Sequence, residues 1–404
     1  MVIKPMVRNN ICLNSHPVGC ATVVKRQIEY VRGQIAGGGG PKLALVVGCS
    51  TGYGLASRIA AAFGYGAVTV GISFEKAASE TKPGTPGYYN NQAFDKEARS
   101  AGLVSISLDG DAYSDELKSR AVEAIRKAAA EAGIPPKVDL LIYSLASPVR
   151  IDPKTGIQYR SVIKPIGMSF SGKTVDMMSG VISDASAEPA TDEEITNTIK
   201  VMGGEDWELW METLAKEDVL STEARTIAYT YIGPELSWSI YKNGTIGRAK
   251  EDLERAGREI NQKHRGKIAG AWVSVNKALV TRSSAVIPII PFYVSCLFKI
   301  MKEKGIHEGC IEQIVRLYKD RLYSPEALSD PKKILTDSEG RIRIDDWEMR
   351  EDVQRETTER MEKVNVENIY LLTDLASFKH DFLEAQGFDV EGVDYEADVD
   401  PAGV

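Results

Sequence analysis

From Leu43 onward the chain alternates between short apolar runs and longer segments of mixed character. "LALVVG" is an apolar run closed by Gly48, the length of a strand buried on both faces and too short for a helix. "LASRIAAAFG" reads as a helix closed by Gly64, "AVTVGISF" (Ala67–Phe74) as a second strand, and "GLVSISLDGDA" contains a third. "SDELKSRAVEAIRKAAAEAG" (Ser114–Gly133) carries helix signals at both ends: Ser114 as cap, Glu116 in the first turn, Gly133 as stop. "VDLLIYSLASP" (Val138–Pro148) is a fourth strand. After an interruption the alternation resumes with "RTIAYTYIG" (Arg225–Gly233), the helical "EDLERAGREINQKHR" and "GAWVSVNKALVT" (Gly270–Thr281), which contains a sixth strand. Strands alternating with helices predict an α/β fold, a Rossmann-type doubly wound parallel sheet.

The flanks lack this rhythm. A segment read as a helix (Ala21–Ile35) precedes the glycine joint "AGGGGPK". Residues 150–190, rich in Gly, Pro, Ser and Asp, read as an insertion of loops and short strands, and 191–218 as helical. Beyond Pro291 the pattern is helical and charged, and "EGVDYEADVDPAGV" reads as a poorly ordered tail.

Composition narrows the picture by exclusion. With 49 basic against 57 acidic residues the net charge is -8, which argues against a nucleic-acid surface as the main feature. The longest apolar run, "AVIPIIPFYVSCLF" (Ala285–Phe298), is too short to span a membrane and holds two prolines. No signal peptide is read at the N-terminus. Five scattered cysteines (Cys12, Cys20, Cys49, Cys296, Cys310) suit a reducing compartment, so a cytoplasmic protein is expected. Four histidines form no metal-ligand pattern, and no metal is expected.

The first strand leaves through Gly48, Gly52 and Gly54, and a helix follows. Glycines there let backbone N–H groups touch a pyrophosphate, and the helix start adds partial positive charge. A tight bend that binds nothing has the same local pattern. Glu75 follows the second strand, about twenty residues beyond the last glycine, where a carboxylate accepts from both ribose hydroxyls and repels a 2′-phosphate. That favours NADH over NADPH, although the neighbouring Lys76 softens the argument and an ordinary solvated carboxylate is the alternative. Asp111 and Ala112 end the third strand, where an adenine edge would lie, and Leu145 and Ala146 end the fourth, beside a nicotinamide ribose. Four consecutive strand ends thus suit one ligand at one sheet edge.

The glycine spacing resembles that of the short-chain dehydrogenase/reductase superfamily, whose members usually carry Tyr and Lys four residues apart on one helix. None of the sixteen tyrosines here has Lys at that offset. Tyr-x6-Lys occurs once, at Tyr89 and Lys96, before the third strand. Tyr-x8-Lys occurs at Tyr241/Lys250, Tyr293/Lys302, Tyr323/Lys332 and Tyr370/Lys379, so spacing alone selects nothing. Position selects Tyr241/Lys250, which lies between the fifth and sixth strands. On an unbroken helix that offset would point the two side chains apart, but "KNGTIG" breaks the helix between them. A surface tyrosine with a solvated lysine remains the alternative.

Over essentially its whole length the chain resembles the trans-2-enoyl-CoA reductase / FabV-type enoyl-ACP reductase family. The likeness rests on "VIKPMVRNNICLNSHPVGC", "GCSTGYGLASRIAAAFGYGA", "ISFEK", "YSLASPVR", "TIAYTYIGPE", "YKNGTIGRAK", "KALVTRSSAVIPIIPFY" and "HEGCIEQI". The N-terminal "VRNNICLNSHP" leans towards the CoA-reductase branch. The resemblance implies Tyr241 as proton donor, Lys250 as its NAD-binding partner and Tyr231 as a substrate contact. It implies NAD contacts at Gly48, Cys49, Ser50, Thr51, Gly52, Tyr53, Phe74, Glu75, Asp111, Ala112, Leu145, Ala146, Leu279, Val280 and Thr281. It implies NADH as cofactor, with no metal or flavin, an enoyl-CoA or enoyl-ACP thioester as substrate, no nucleic-acid or membrane partner, and a monomer.

On this reading residues 1–404 form one enlarged Rossmann-type reductase domain. Residues 1–40 are an N-terminal segment, 41–149 the NADH-binding half, 150–190 the insertion, 191–300 the catalytic and substrate-binding half, and 301–404 a helical C-terminal extension. "SAVIPIIPFYVSCLF" is a candidate wall for the acyl chain, or an ordinary buried helix start. Rival readings are a ketone or alcohol oxidoreductase, disfavoured by the missing Tyr-x3-Lys, and a non-catalytic NADH sensor.

Overall fold

The computed structural model describes all residues except 9–10, 282–286, 288 and 404. Its centre is a sheet of seven parallel strands: β1 (Leu43–Val47), β2 (Val68–Ser73), β3 (Ser105–Asp109), β4 (Val138–Tyr143), β5 (Leu220–Thr230), β6 (Gly270–Val275) and β7 (Ile342–Arg343). Their spatial order is 3-2-1-4-5-6-7. The order reverses between β1 and β4, so the carboxyl ends of the two strands border the crevice where such sheets bind ligands.

β1 is buried on both faces because both are covered by helices. Ala44 and Val46 face one layer, made by α1 (Pro17–Gln34), α2 (Gly52–Ile59) and α3 (Pro86–Ser100). Leu43, Leu45 and Val47 face the other, which begins with α4 (Asp115–Ala132). α4 has the ends its sequence announces. Ser114 Oγ accepts from the Leu117 N–H at 3.1 Å, and Gly133 closes the helix at a φ of 67°. Such a cap is worth about 1 kcal/mol.

The helical stretch at 191–218 is two helices, α5 (Asp192–Met202) and α6 (Glu205–Lys216). They part at Gly203–Gly204, because α7 (Thr245–Lys263) crosses so closely that a Cβ on Gly204 would lie 2.1 Å from the Ala256 Cβ. A third apolar cluster forms around α8 (Ile290–Glu303). α9 (Cys310–Leu317) joins the α1 layer, while α10 (Glu351–Lys363) and α11 (Leu375–Glu384) pack on α8. The insertion contains two antiparallel ribbons, Val149–Ile151 with Gln158–Arg160 and Phe170–Val175 with Ile182–Ala187.

Four expectations need correction. α1 begins at Pro17, ahead of Ala21, because proline suits a first helical turn and His16 Nδ1 accepts from the Gly19 N–H at 3.2 Å. β3 ends at Asp109 and β4 at Tyr143, so Asp111 and Ala112, like Leu145 and Ala146, lie just beyond their strands in the turns that follow. β7 has only two residues and adds a seventh strand at the β6 edge. The C-terminal segment is docked: Tyr89 donates to the Pro401 carbonyl at 2.6 Å, Tyr395 stands edge-on to His16, and Met1 pairs with Asp398. Among the described residues no helix is long and apolar enough to cross a membrane.

Candidate active site

Each glycine of the β1–α2 turn has a different task. Gly48 adopts a φ of 88°, and a Cβ there would lie 2.3 Å from the Ser144 carbonyl oxygen, so the turn passes directly against the end of β4. A Cβ on Gly54 would sit 1.8 Å from the Gly48 carbonyl oxygen, so α2 can lie this close to the turn only without a side chain. Gly52 adopts a φ of 54° with nothing within 4 Å of its Cβ position. The backbone at the start of α2 is therefore open on one side, as a pyrophosphate cradle requires. Neighbouring groups fix the loop: Asn90 donates to the Ser50 carbonyl at 2.9 Å, and the Tyr53 hydroxyl donates to the Lys277 carbonyl at 3.0 Å.

Glu75 lies directly after β2 and meets this loop. Ser50 Oγ donates to its Oε1 at 2.6 Å, and its N–H donates to Asp109 Oδ1 at 2.8 Å. Phe74 beside it is largely exposed. The β3–α4 turn is held from below by Lys118, whose Nζ donates to the carbonyls of Ala112 and Tyr113, both at 3.0 Å, and to Asp206 at 2.7 Å. Asp111 accepts from the Tyr113 N–H at 3.0 Å, and Ala112 is buried. The turn containing Leu145 and Ala146 starts from Ser144, whose N–H donates to Val47 at 2.8 Å. The glycine turn and these three strand ends thus share one carboxyl edge of the sheet.

The second group descends from β5 and the turn ahead of α7. The helix is broken between Tyr241 and Lys250: a short helical turn ends at Trp238, and α7 starts at Thr245. Gly247 is needed because a Cβ there would lie 1.7 Å from the Lys242 carbonyl oxygen. Lys250 Nζ then reaches the Tyr229 carbonyl near the end of β5 at 3.0 Å. Burial drives its pKa down to about 8, because few groups compensate the desolvated ammonium. Tyr241 and Tyr231 meet edge to face with ring centroids 5.1 Å apart. Burial raises the pKa of both hydroxyls, and for Tyr231 a nearby carboxylate adds to the rise. The chain by itself therefore holds both as neutral phenols at physiological pH.

That carboxylate, Glu348, carried no signal in the sequence. It sits in the turn between β7 and α10, wholly buried. Its Oε1 accepts from Tyr231 at 3.0 Å and from Tyr293 at 2.7 Å, and its Oε2 accepts from the Ala278 N–H at 2.7 Å. Lys277 is also buried, with its pKa lowered to about 8 by desolvation. In the sequence Tyr293 stood in the candidate acyl-chain wall and in a Tyr-x8-Lys match with Lys302; Lys302 instead pairs with Asp374 near α11. Leu279, Val280 and Thr281 follow Ala278, with Leu279 buried. Of the candidate acyl-chain wall, 284–286 and 288 lie outside the described residues, while α8 from Ile290 to Phe298 is buried in the third core. Among the described residues no cluster could hold a metal ion.

The chain matches the family model for the trans-2-enoyl-CoA reductase catalytic region over residues 82–323, and that for the NAD(P)H binding domain of trans-2-enoyl-CoA reductase over residues 2–80. It belongs to the trans-2-enoyl-CoA reductase family. Among members of this family, the chain is 58% identical to trans-2-enoyl-CoA reductase [NADH] of Treponema denticola over 99% of both chains. It is 53% identical to enoyl-[acyl-carrier-protein] reductase [NADH] of Cytophaga hutchinsonii, over 99% of this chain and 98% of that one. The crystal structure of the Treponema reductase in complex with NAD superposes with a TM-score of 0.93 over 99% of this chain and 98% of that chain. The Clostridium acetobutulicum trans-2-enoyl-CoA reductase in complex with NADH, 44% identical, gives the same score over the same shares.

A third family model, described as an enoyl reductase FAD binding domain, matches residues 336–399. The residues of this reductase do not fit that group. Among the described residues of 336–399 no strand passes through glycines into a helix. Gly340 lies in a turn closed by Asp337, and Gly387 and Gly392 follow α11. Val353, Leu375, Phe378 and Phe382 are spent on the third core. The segment's contribution to the site is Glu348.

Proposed function

We propose that this family member uses NADH to reduce the C2–C3 double bond of a trans-2-enoyl-CoA of the crotonyl-CoA type. The observation that carries the reading is the convergence of an open glycine turn with Tyr241, Tyr231 and Lys250 at the carboxyl edge of one sheet. Gly48–Tyr53, Phe74, Glu75, Asp111, Ala112, Leu145, Ala146, Lys250 and Leu279–Thr281 are the residues assigned to NADH. When bound, NADH supplies the hydride that adds to the β-carbon of the thioester.

The remaining work falls to the chain's own residues. Negative charge develops on the thioester oxygen during reduction, and a neutral tyrosine beside that oxygen stabilises it and can give up a proton. Tyr241 has that role; burial keeps its hydroxyl protonated until the charge appears. Lys250 holds the ribose and, as a cation, favours loss of the tyrosine proton. Tyr231 bounds the substrate side. The Glu75 carboxylate excludes a 2′-phosphate. The acyl-carrier-protein thioester is the second reading, supported by the Cytophaga relative. We take the reductase to act as a monomer in the cytoplasm, a reading supported by the resemblance and by five free thiols.

The test is NADH consumption with crotonyl-CoA, with NADPH as control. Tyr241→Phe is expected to lower kcat by about 10²–10⁴-fold. A variant turning over at the wild-type rate would remove Tyr241 from the mechanism. Faster turnover of an enoyl-ACP than of the matching enoyl-CoA would favour the second reading.

A further inference from the structure

Glu348 is a buried carboxyl group that the reaction as described does not use. Its three hydrogen bonds come from three separate pieces of the site. Tyr231 follows β5, Tyr293 lies on α8, and Ala278 leads into the Leu279–Thr281 stretch. Both oxygens act as acceptors, which an ionised carboxylate does without rearrangement. Lys277 is the nearby cation that opposes the cost of burying it. Gln354 completes the cluster, donating to the Tyr293 hydroxyl at 3.0 Å and to the Glu348 carbonyl at 2.7 Å. The Tyr293 proton is therefore committed to Glu348. The turn carrying Glu348 is itself anchored on the sheet, because the Ile344 and Asp345 N–H groups donate to the Val275 carbonyl at the end of β6, at 2.9 and 3.1 Å.

We propose that Glu348 is a positioning residue for enoyl reduction, fixing the Tyr231 hydroxyl beside Tyr241 and the Ala278 backbone ahead of Leu279–Thr281. The proposal rests on the reductase reading for its role in turnover; its hydrogen-bond geometry does not. Glutamine cannot replace this group. It has one acceptor oxygen where two are used, so either Ala278 or the tyrosine pair faces an NH₂. The loss is transmitted through Tyr231, because the Tyr231 ring is the one in this cluster that packs edge-on against Tyr241.

The experiment is a double-mutant cycle on kcat, using crotonyl-CoA and NADH with Glu348→Gln, Tyr231→Phe and the double variant. Folding is checked by circular dichroism, and the NADH Kd is measured by fluorescence without substrate. Glu348→Gln is expected to lower kcat by about 10–100-fold and to weaken NADH by about fivefold, through Ala278. In the Tyr231→Phe background its effect on kcat is expected to shrink to under about threefold, because the two residues act as one unit. Effects that multiply independently, or a wild-type kcat in Glu348→Gln, would overturn the proposal. If Glu348→Gln does not fold, Tyr293→Phe replaces it; it removes one donor from the same oxygen and is expected to show the same coupling to Tyr231, whose absence would equally overturn the proposal. Wild-type protein inactive on every enoyl thioester would defeat the reductase reading. The NADH Kd of Glu348→Gln would then decide the Ala278 contact, and an unchanged Kd would end the proposal.

Discussion

Lys118 is buried at 2% exposure and Asp206 at 1%, so neither charge has water to fall back on. Lys118→Met removes the donor shared by Asp206 and the Ala112 and Tyr113 carbonyls, and leaves Asp206 with the Tyr143 hydroxyl at 3.2 Å as a remaining partner. Breaking a buried pair from one side costs about 3–5 kcal/mol, and the orphaned carbonyls fall within that figure because the losses are not additive. Burial already raises the Asp206 pKa and Lys118 holds it down, so the substitution raises it further. A carboxyl whose folded pKa lies above its unfolded value penalises folding fully above the folded pKa and not at all below the unfolded one. The charge penalty is therefore expected to be larger at pH 8 than at lower pH and to shrink as the pH falls towards the ordinary carboxylate range. Urea unfolding followed by tryptophan fluorescence reads this directly, since the Trp210 ring lies 5.1 Å from Lys118 Nζ. Adding Asp206→Asn should recover part of the loss, and NADH affinity should fall in the single variant because the Ala112 turn loses its anchor. A penalty under about 1 kcal/mol at pH 8, or one that does not change with pH, would refute the reasoning.

Three other substitutions address cofactor binding. A Cβ on Gly87 would lie 2.2 Å from Glu75 Oε1, so Gly87→Ala should displace that carboxylate and narrow the preference for NADH over NADPH, read as the ratio of kcat/KM values. Gly54→Ala must push α2 off the Gly48 carbonyl and should abolish measurable NADH binding by fluorescence; Gly52→Ala meets no protein atom and should cost about 1–2 kcal/mol of stability for a left-handed backbone, while its methyl occupies the open side of the cradle and should weaken NADH as well.

The parts of the fold legible in the sequence were those with local physical causes. The β1 run, the glycine turn and the capped α4 each carry their reason within a few neighbouring residues. The break ahead of α7 was legible because Gly244 and Gly247 lie between Tyr241 and Lys250. β7 was not, since two residues show no period, and its pairing with β6 is fixed by tertiary contact. Glu348 was invisible for a related reason. It stands among charged residues of a segment rich in solvated ones, and only the fold places it against Tyr231 and Tyr293. The docked tail was misread because its composition is polar while its contacts, at Tyr88, Tyr89 and His16, come from far away in the chain.

Because Glu348 lies in the turn that follows β7, the site cannot be complete until most of the chain has been synthesised. The glycine turn is supported once Ser144 has emerged, but Tyr231 waits for Glu348 until some two hundred more residues have been made. At about 5–20 residues per second that interval is about 10–40 s, for much of which a nascent chain carries a glycine turn still without its Lys277 support beside an unfinished catalytic half.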